Sequence, residues 1–170
     1  FRGPARPPLQ RSTSPEGRSQ LAFVKKQFQK LNIRLAIETS DYNRFNEKLR
    51  SASFQVVQLG WAGDYPDPEN FLFLFHTPPA PEENQQNACR YDNPAYNALF
   101  VRMRAMETSP DRLAVIRQML GVLRQDAPAV LLSHPTVFNL YHGWYHNAMP
   151  HAMAPHAVKY VRIDVDGRAA

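Results

Sequence analysis

"IRLAIETSDYNRFNEKLRSASFQVVQLG", residues 33–60, carries three patterns in succession. Ile33, Leu35 and Ile37 alternate with Arg34, Ala36 and Glu38, the period of a strand with one buried face. Tyr42, Phe45 and Leu49 then return at helical spacing, and Phe54–Leu59 closes the stretch as a second extended apolar run. A strand, a helical crossover of about a dozen residues and another strand make a βαβ unit, whose two strands run parallel. The stretch therefore predicts an α/β fold.

Upstream, Leu21, Val24, Phe28 and Leu31 mark a helix with Asn32 as its stop. Downstream, Tyr96, Leu99, Phe100, Met103 and Met106 mark another, and Leu113, Ile116, Met119, Leu120 and Leu123 a third that Pro128 ends. The Met and aromatic stripe reads as core packing. Four helix starts share a capping side chain followed by proline: Ser14-Pro15-Glu16, Asp67-Pro68-Glu69, Asn93-Pro94 and Ser109-Pro110-Asp111. The cap accepts an orphan backbone N–H, and proline has none to leave unpaired at that position. Ala129–Ser133 reads as a buried strand, Val137–Tyr141 as a further extended segment and Val158–Val165 as a last strand-like run. Residues 1–12, rich in Pro and Arg and without periodicity, read as an extended basic arm or linker, with regular structure starting after them. The expected division is that arm, an α/β lobe over 13–141 and a C-terminal return segment over 142–170.

The loop after the second strand, "GWAGDYPDPENF" (residues 60–71), is the candidate site. In open parallel sheets, ligands sit beyond the carboxyl ends of the strands, where loops are free to carry polar groups. Gly60 and Gly63 allow close approach of another backbone, Trp61 supplies a flat apolar wall and Asp64 a carboxylate. That set suits a ligand with an ammonium group next to an extended backbone, such as a peptide N-terminus. The plainer reading is an Asp bonded to its own turn and a Trp filling a core. A calcium loop is disfavoured by the spacing of Asp64, Asp67, Glu69 and Asn70 and by two intervening prolines.

Charge excludes one class of partner. Residues 1–30 hold seven basic side chains against Glu16 alone, whereas the remaining residues hold 13 basic and 14 acidic groups. A nucleic-acid-binding domain spreads its basic groups over the folded surface, so a basic leader on a neutral body argues against that function. No apolar run approaches the ~20 residues of a membrane-spanning helix; Phe71–Phe75 and Ala129–Leu132 are short. The N-terminus has no apolar signal-peptide segment. Cys89, the only cysteine, reads as a buried thiol.

The runs "FQVVQLGWAGDYPDPENFLFLF", "YDNPAYNALFVRM" and "SPDRLAVIRQMLGVLRQDAP", with the closing strands, resemble the C-terminal part of a family 5 extracellular solute-binding protein. Such proteins are the peptide-binding components of bacterial ABC importers. The resemblance spans roughly residues 12–165 and implies one lobe of a bilobal periplasmic-binding-protein-like fold, with a mixed sheet flanked by helices. It implies a fragment whose C-terminal segment returns toward the other lobe. It further implies that Asp64 holds a peptide's α-ammonium group, that backbone groups of Gly60 and Ala62 pair with its main chain, and that Trp61 walls a side-chain pocket. Tyr65, Pro66 and Asp67 form the supporting turn, with Asp67 capping the next helix. The implied partners are a peptide or other small solute and an inner-membrane permease, and the implied setting is a monomer in the periplasm. Relatives that carry nickel complexes or sugars leave the ligand class open.

Enzymatic chemistry has little support. Ser133-His134 is a neighbouring pair without a triad, no Gly-x-Ser-x-Gly elbow or Gly-rich phosphate loop occurs, and Cys89 has no activating motif. No catalytic residue, metal or cofactor is expected. The alternative is a His-dependent metal or metalloenzyme site using His142, His146, His151 and His156. Gly143 and Pro150 oppose the helix that would align the first pair, and no acid stands where a metalloprotease keeps its base. His134 and His76 have no identifiable partner. A third reading, an interaction module, rests on the basic arm and an acidic partner.

Overall fold

Asn32 ends a helix and begins the strand pattern, and its backbone shows how. At φ 62° it takes the left-handed conformation, Asn32 N–H donates to Gln29 O and Ile33 N–H to Phe28 O, both at 3.0 Å. These are the paired bonds that close a helix by satisfying its last carbonyls. The computed structural model describes residues 8–12, 17–80, 85–134, 136, 138–148 and 157–169. The chain forms two compact units, Phe1–Gly60 and Trp61–Ala170.

The first unit is a three-stranded parallel sheet with two helices: β1 (Pro8–Ser12), α1 (Gly17–Lys30), β2 (Ala36–Ser40), α2 (Tyr42–Arg50) and β3 (Val56–Val57). A strand, a helix and a strand do follow one another within residues 33–60, but the first begins at Ala36 rather than Ile33 and the second is only Val56–Val57 of the expected Phe54–Leu59; both run parallel to β1, which lies between them in the order β2-β1-β3. Leu9 pairs with Ile37 on one side and Val56 on the other. Regular structure thus begins before residue 13, against expectation. PLQRS has no alternation to read, and its extended form comes from backbone pairing with two neighbours. Pro8 stands at the first strand position, where its missing N–H does least harm.

Leu21 and Leu35 form the buried centre of this unit, with Val24, Phe28, Ile37 and Val56 packed against them. Leu31 is 71% exposed because it follows the last helical turn, so the helical stripe stops at Phe28. Asp41 caps α2 by accepting from Arg44 N–H at 3.0 Å, and Ala52, at φ 49°, closes its end. Lys48 of α2 reaches Glu38 of β2 at 3.1 Å. The helix start read at Ser14-Pro15-Glu16 lies outside the described residues.

The second unit is mainly helical, with α3 (Glu69–Leu72) continuing into a 3-10 turn at Phe73–Phe75, then α4 (Pro94–Arg104) and α5 (Pro110–Asp126) as a hairpin. The proline starts at residues 93 and 109 are as read: Asn93 Oδ1 accepts from Ala95 and Tyr96 N–H, and Ser109 Oγ from Arg112 N–H. Tyr96, Phe100, Met103, Val115, Ile116, Met119 and Leu72 make the core, confirming the Met and aromatic stripe as packing. Buried Tyr96 donates its hydroxyl to Leu72 O at 2.7 Å, and burial raises its pKa. On α5 the inward face is rotated from the expected one: Leu113 and Leu120 are exposed, while Arg112 and Val115 are buried.

Cys89 is exposed, contrary to the buried reading. Asn87 takes the inward place instead, donating to Thr77 Oγ1 and Tyr91 O at 2.9 Å and accepting from Tyr91 N–H at 3.1 Å. Polar bonds hold that loop, so no apolar seat for the thiol is made. His76 also has a partner the sequence did not disclose: its ring stacks on Phe100 at 4.3 Å and Nδ1 lies 3.1 Å from Asn97 Oδ1.

Ala129–Ser133 forms no strand, and Val130, Leu131 and Leu132 are 82, 89 and 62% exposed. No strand among the described residues pairs with them, and an apolar run without a ladder or a cover remains open coil. Val158–Val165 is a strand only at β5 (Arg162–Ile163), which pairs antiparallel with β4 (Tyr145–His146) and is followed by α6 (Val165–Ala169). Helices and strands together match the expected α/β class, but the parallel and antiparallel pairings lie in separate sheets, so among the described residues no single sheet is mixed as expected.

Candidate ligand-binding site

Trp61 and Asp64 are brought together by a residue that the sequence did not mark as part of the site. Asn70, in α3 and 3% exposed, accepts from Trp61 Nε1–H and from the Asp64 backbone N–H, both at 3.0 Å, through the same Oδ1. Its Nδ2 lies 3.4 Å from Asp64 Oδ2, the long limit of a hydrogen bond. The turn from 61 to 64 is thus folded around one buried amide. Trp61 stands edge-on to Phe73 with ring centroids 5.4 Å apart, yet it is still 36% exposed. The indole is therefore anchored at its N–H and along one edge while keeping surface toward solvent. Asp64 is exposed, and its carboxylate is not consumed by its own turn.

Asp67 secures the next corner. Its Oδ1 accepts from Glu69 N–H at 2.8 Å, so the expected capping role holds, and the carboxylate also takes a two-pronged ion pair from Arg112 at 2.8 and 2.9 Å. Such paired geometry matches guanidinium to carboxylate. Arg112 Nε donates to Met103 O at 3.2 Å, tying the loop to both helices of the hairpin. The Arg112 hydrogen bonds hold the Asp67 carboxyl below its ordinary pKa, and the same contact raises that of Arg112. Tyr65 donates its hydroxyl to Glu69 Oε2, and that bond raises the phenol's pKa.

Of the remaining candidates, Ala62 is exposed, and Gly60, which ends the first unit, is exposed with nothing within 4 Å of where a Cβ would stand. A shallow apolar hollow of about 470 Å³ lies in the second unit, lined by Tyr65, Pro66, Pro68, Phe71, Ile116 and Leu120 among others; Trp61 and Asp64 do not line it. Asn70 and Arg112 are the site-building residues the sequence reading missed. The available signal was a polar side chain inside each apolar run, which burial obliges to find partners.

The histidine alternative fares differently. His142 stacks on Trp144 at 5.0 Å in a non-helical turn, and His146 in β4 lies 3.9 Å from Asp164. Among the described residues no group of three or more His, Cys, Asp or Glu is placed to hold a metal ion; His151 and His156 lie outside them.

Residues 6–82 match the family described as bacterial extracellular solute-binding proteins, family 5 Middle. The dipeptide-binding protein of Escherichia coli (strain K12) is 26% identical over 131 residues, covering 77% of this chain and 24% of that protein. Di/tripeptide-binding protein 4 of Pseudomonas aeruginosa (strain UCBPP-PA14) is 28% identical over 111 residues, 65% of this chain and 21% of its own length. Among solved structures, the Escherichia coli murein tripeptide binding protein MppA aligns with a TM-score of 0.66 at 23% identity, over 72% of this chain and 23% of its own. DppA from Helicobacter pylori in complex with peptide STSA gives 0.62 at 20%, over 72% and 24%.

At those identities the structural likeness establishes the fold. The chain spans about a quarter of the length of these relatives. The matched family segment contains all three parallel strands and the whole Trp61–Asp64 turn with Asn70. Over residues 6–82 this chain is similar to the family 5 bacterial extracellular solute-binding proteins, and its fold is like one part of the peptide-binding structures it aligns with.

Proposed function

We propose that this chain forms one wall of a cleft that captures short peptides for import by an ABC transporter. Asp64 receives the peptide's α-ammonium group, Trp61 walls a side-chain pocket, and backbone groups of Gly60 and Ala62 pair with the peptide main chain. Residues 142–170 run back toward the other lobe, and closure of the two lobes buries the ligand. The protein works as a monomer in the periplasm, delivers its cargo to an inner-membrane permease and carries out no chemistry on it.

One observation carries this reading. Asp64 is exposed near a 36% exposed indole, and its backbone N–H and the indole N–H are both held by one buried amide, whose nitrogen lies 3.4 Å from the Asp64 carboxylate. A carboxylate held in place pays less ordering entropy when it meets a cation. The names of the relatives, dipeptide- and di/tripeptide-binding proteins, support the ligand class.

Calorimetric titration of a protein of the relatives' full length carrying this segment tests it. Asp64→Asn should weaken binding of a dipeptide with a free amino terminus by about 1–3 kcal/mol, the scale of a lost charge-assisted hydrogen bond. An N-acetylated dipeptide should bind weakly to both proteins. Equal affinity of the two proteins for the free-amine peptide would remove Asp64 from the site.

A further inference from the structure

Asn70 is an expensive residue where it stands. Asparagine is a poor helix former, and here it is 3% exposed at the head of the apolar run Phe71–Phe75. Its side chain bonds back to the turn that precedes the helix. The carbonyl oxygen has two lone pairs, and both are used, one by the Trp61 indole N–H and one by the Asp64 backbone N–H, each at 3.0 Å. The amide nitrogen faces Asp64 Oδ2 at 3.4 Å. No other natural side chain of this length offers a double acceptor and a donor together: Asp lacks the donor, Leu lacks both, and Gln is one methylene longer.

We propose that Asn70 is the positioning residue for amine capture, clasping the indole and the Asp64 turn so that one carboxylate oxygen is steadied and the other is presented to the ligand's ammonium. This deepens the peptide-capture reading and rests on it. A buried amide used only for stability would have no reason to join the aromatic wall and the Asp64 backbone through a single atom and to turn its nitrogen toward the Asp64 carboxylate. Joining them sets the separation between the part of the site that meets a charge and the part that meets a side chain.

The test is a double-mutant cycle in a protein of the relatives' full length carrying this segment, read by calorimetry with a free-amine dipeptide. Asn70→Leu keeps the volume and removes the clasp, and should weaken binding about tenfold. In the Asp64→Asn background the same change should cost less than about twofold, because the carboxylate it positions is already gone. Equal tenfold losses in both backgrounds, or no loss in either, overturn the proposal.

If Asn70→Leu does not fold, Asn70→Asp decides. It keeps an oxygen for both N–H groups but sets a second carboxylate beside Asp64, and two such groups resist ionising together until a cation arrives. Binding near pH 5.5 should then release a proton, so the measured heat changes with the ionisation enthalpy of the buffer. Heat independent of buffer overturns the assignment. Wild-type affinity in Asp64→Asn removes Asp64 from the site and with it the amine-capture reading this proposal rests on, whereas a weak Asp64→Asn with a wild-type Asn70→Leu removes only the role of Asn70.

Discussion

Arg112 lies on a helix face shared with Val115, Ile116 and Met119, and a charge is tolerated there because Asp67 meets it in two parallel bonds and Met103 O takes a third. The pair anchors the loop that carries Trp61 and Asp64, so its loss is felt at the site as well as in the fold. Arg112→Leu should lower unfolding stability at pH 7 by about 2–3 kcal/mol, measured in urea. Because Arg112 depresses the Asp67 pKa, the pair's contribution is complete above the ordinary carboxylate value near 3.8 and disappears as pH falls through the lower folded value. The stability gap between wild type and Arg112→Leu should therefore narrow as pH falls below 3.8. A gap unchanged between pH 7 and pH 2.5 would show that Arg112 acts through its aliphatic stem alone. At this scale Trp61 and Asp64 were legible as a polar and aromatic pair in a Gly-containing loop. Asn70 and Arg112 were not, since what marks them is burial and partners distant in sequence, such as the 45 residues between Asp67 and Arg112.

Elements whose signals are local were the most legible. The caps at Asn93 and Ser109 act on N–H groups two or three residues away, so the sequence window holds the whole interaction. Ser109→Ala should cost about 1 kcal/mol by thermal or urea unfolding, and Ser109→Gly only a few tenths. Equal values for the two substitutions would indicate that the hydroxyl is not the cap. The βαβ stretch was legible for the same reason, its alternation and helical spacing lying within 28 residues. β1 was not, because a strand of one Leu among Pro, Gln, Arg and Ser is defined by the neighbours on each side of it. Ala129–Ser133 erred the other way: its composition is that of a strand, but composition supplies no partner.

Each unit has its own apolar centre, one around Leu21 and Leu35 and one around Tyr96, Phe100, Met103 and Met119. Neither centre is large, and Val130, Leu131, Phe138 and Leu140 add apolar surface that the described residues leave open. On the peptide-capture reading, half of the ligand's contacts come from the opposing lobe. Residues 1–170 alone should therefore bind a dipeptide at least about tenfold more weakly than a protein of the relatives' full length carrying them, in the same calorimetric titration. Equal affinity would mean that one wall suffices and that lobe closure adds nothing.

By itself the amino-acid sequence determined the α/β character, the capped helix starts, the Met and aromatic core stripe and the candidate loop, because each rests on spacing or chemistry within a short window. Tertiary structure alone decided the central place of β1, the outward turn of Cys89, the inward turn of Arg112 and the clasp of Asn70 on Trp61 and Asp64. The physical reason is common to all four. A backbone group or a polar side chain goes inside only where folding brings it a partner, and that partner can lie anywhere along the chain.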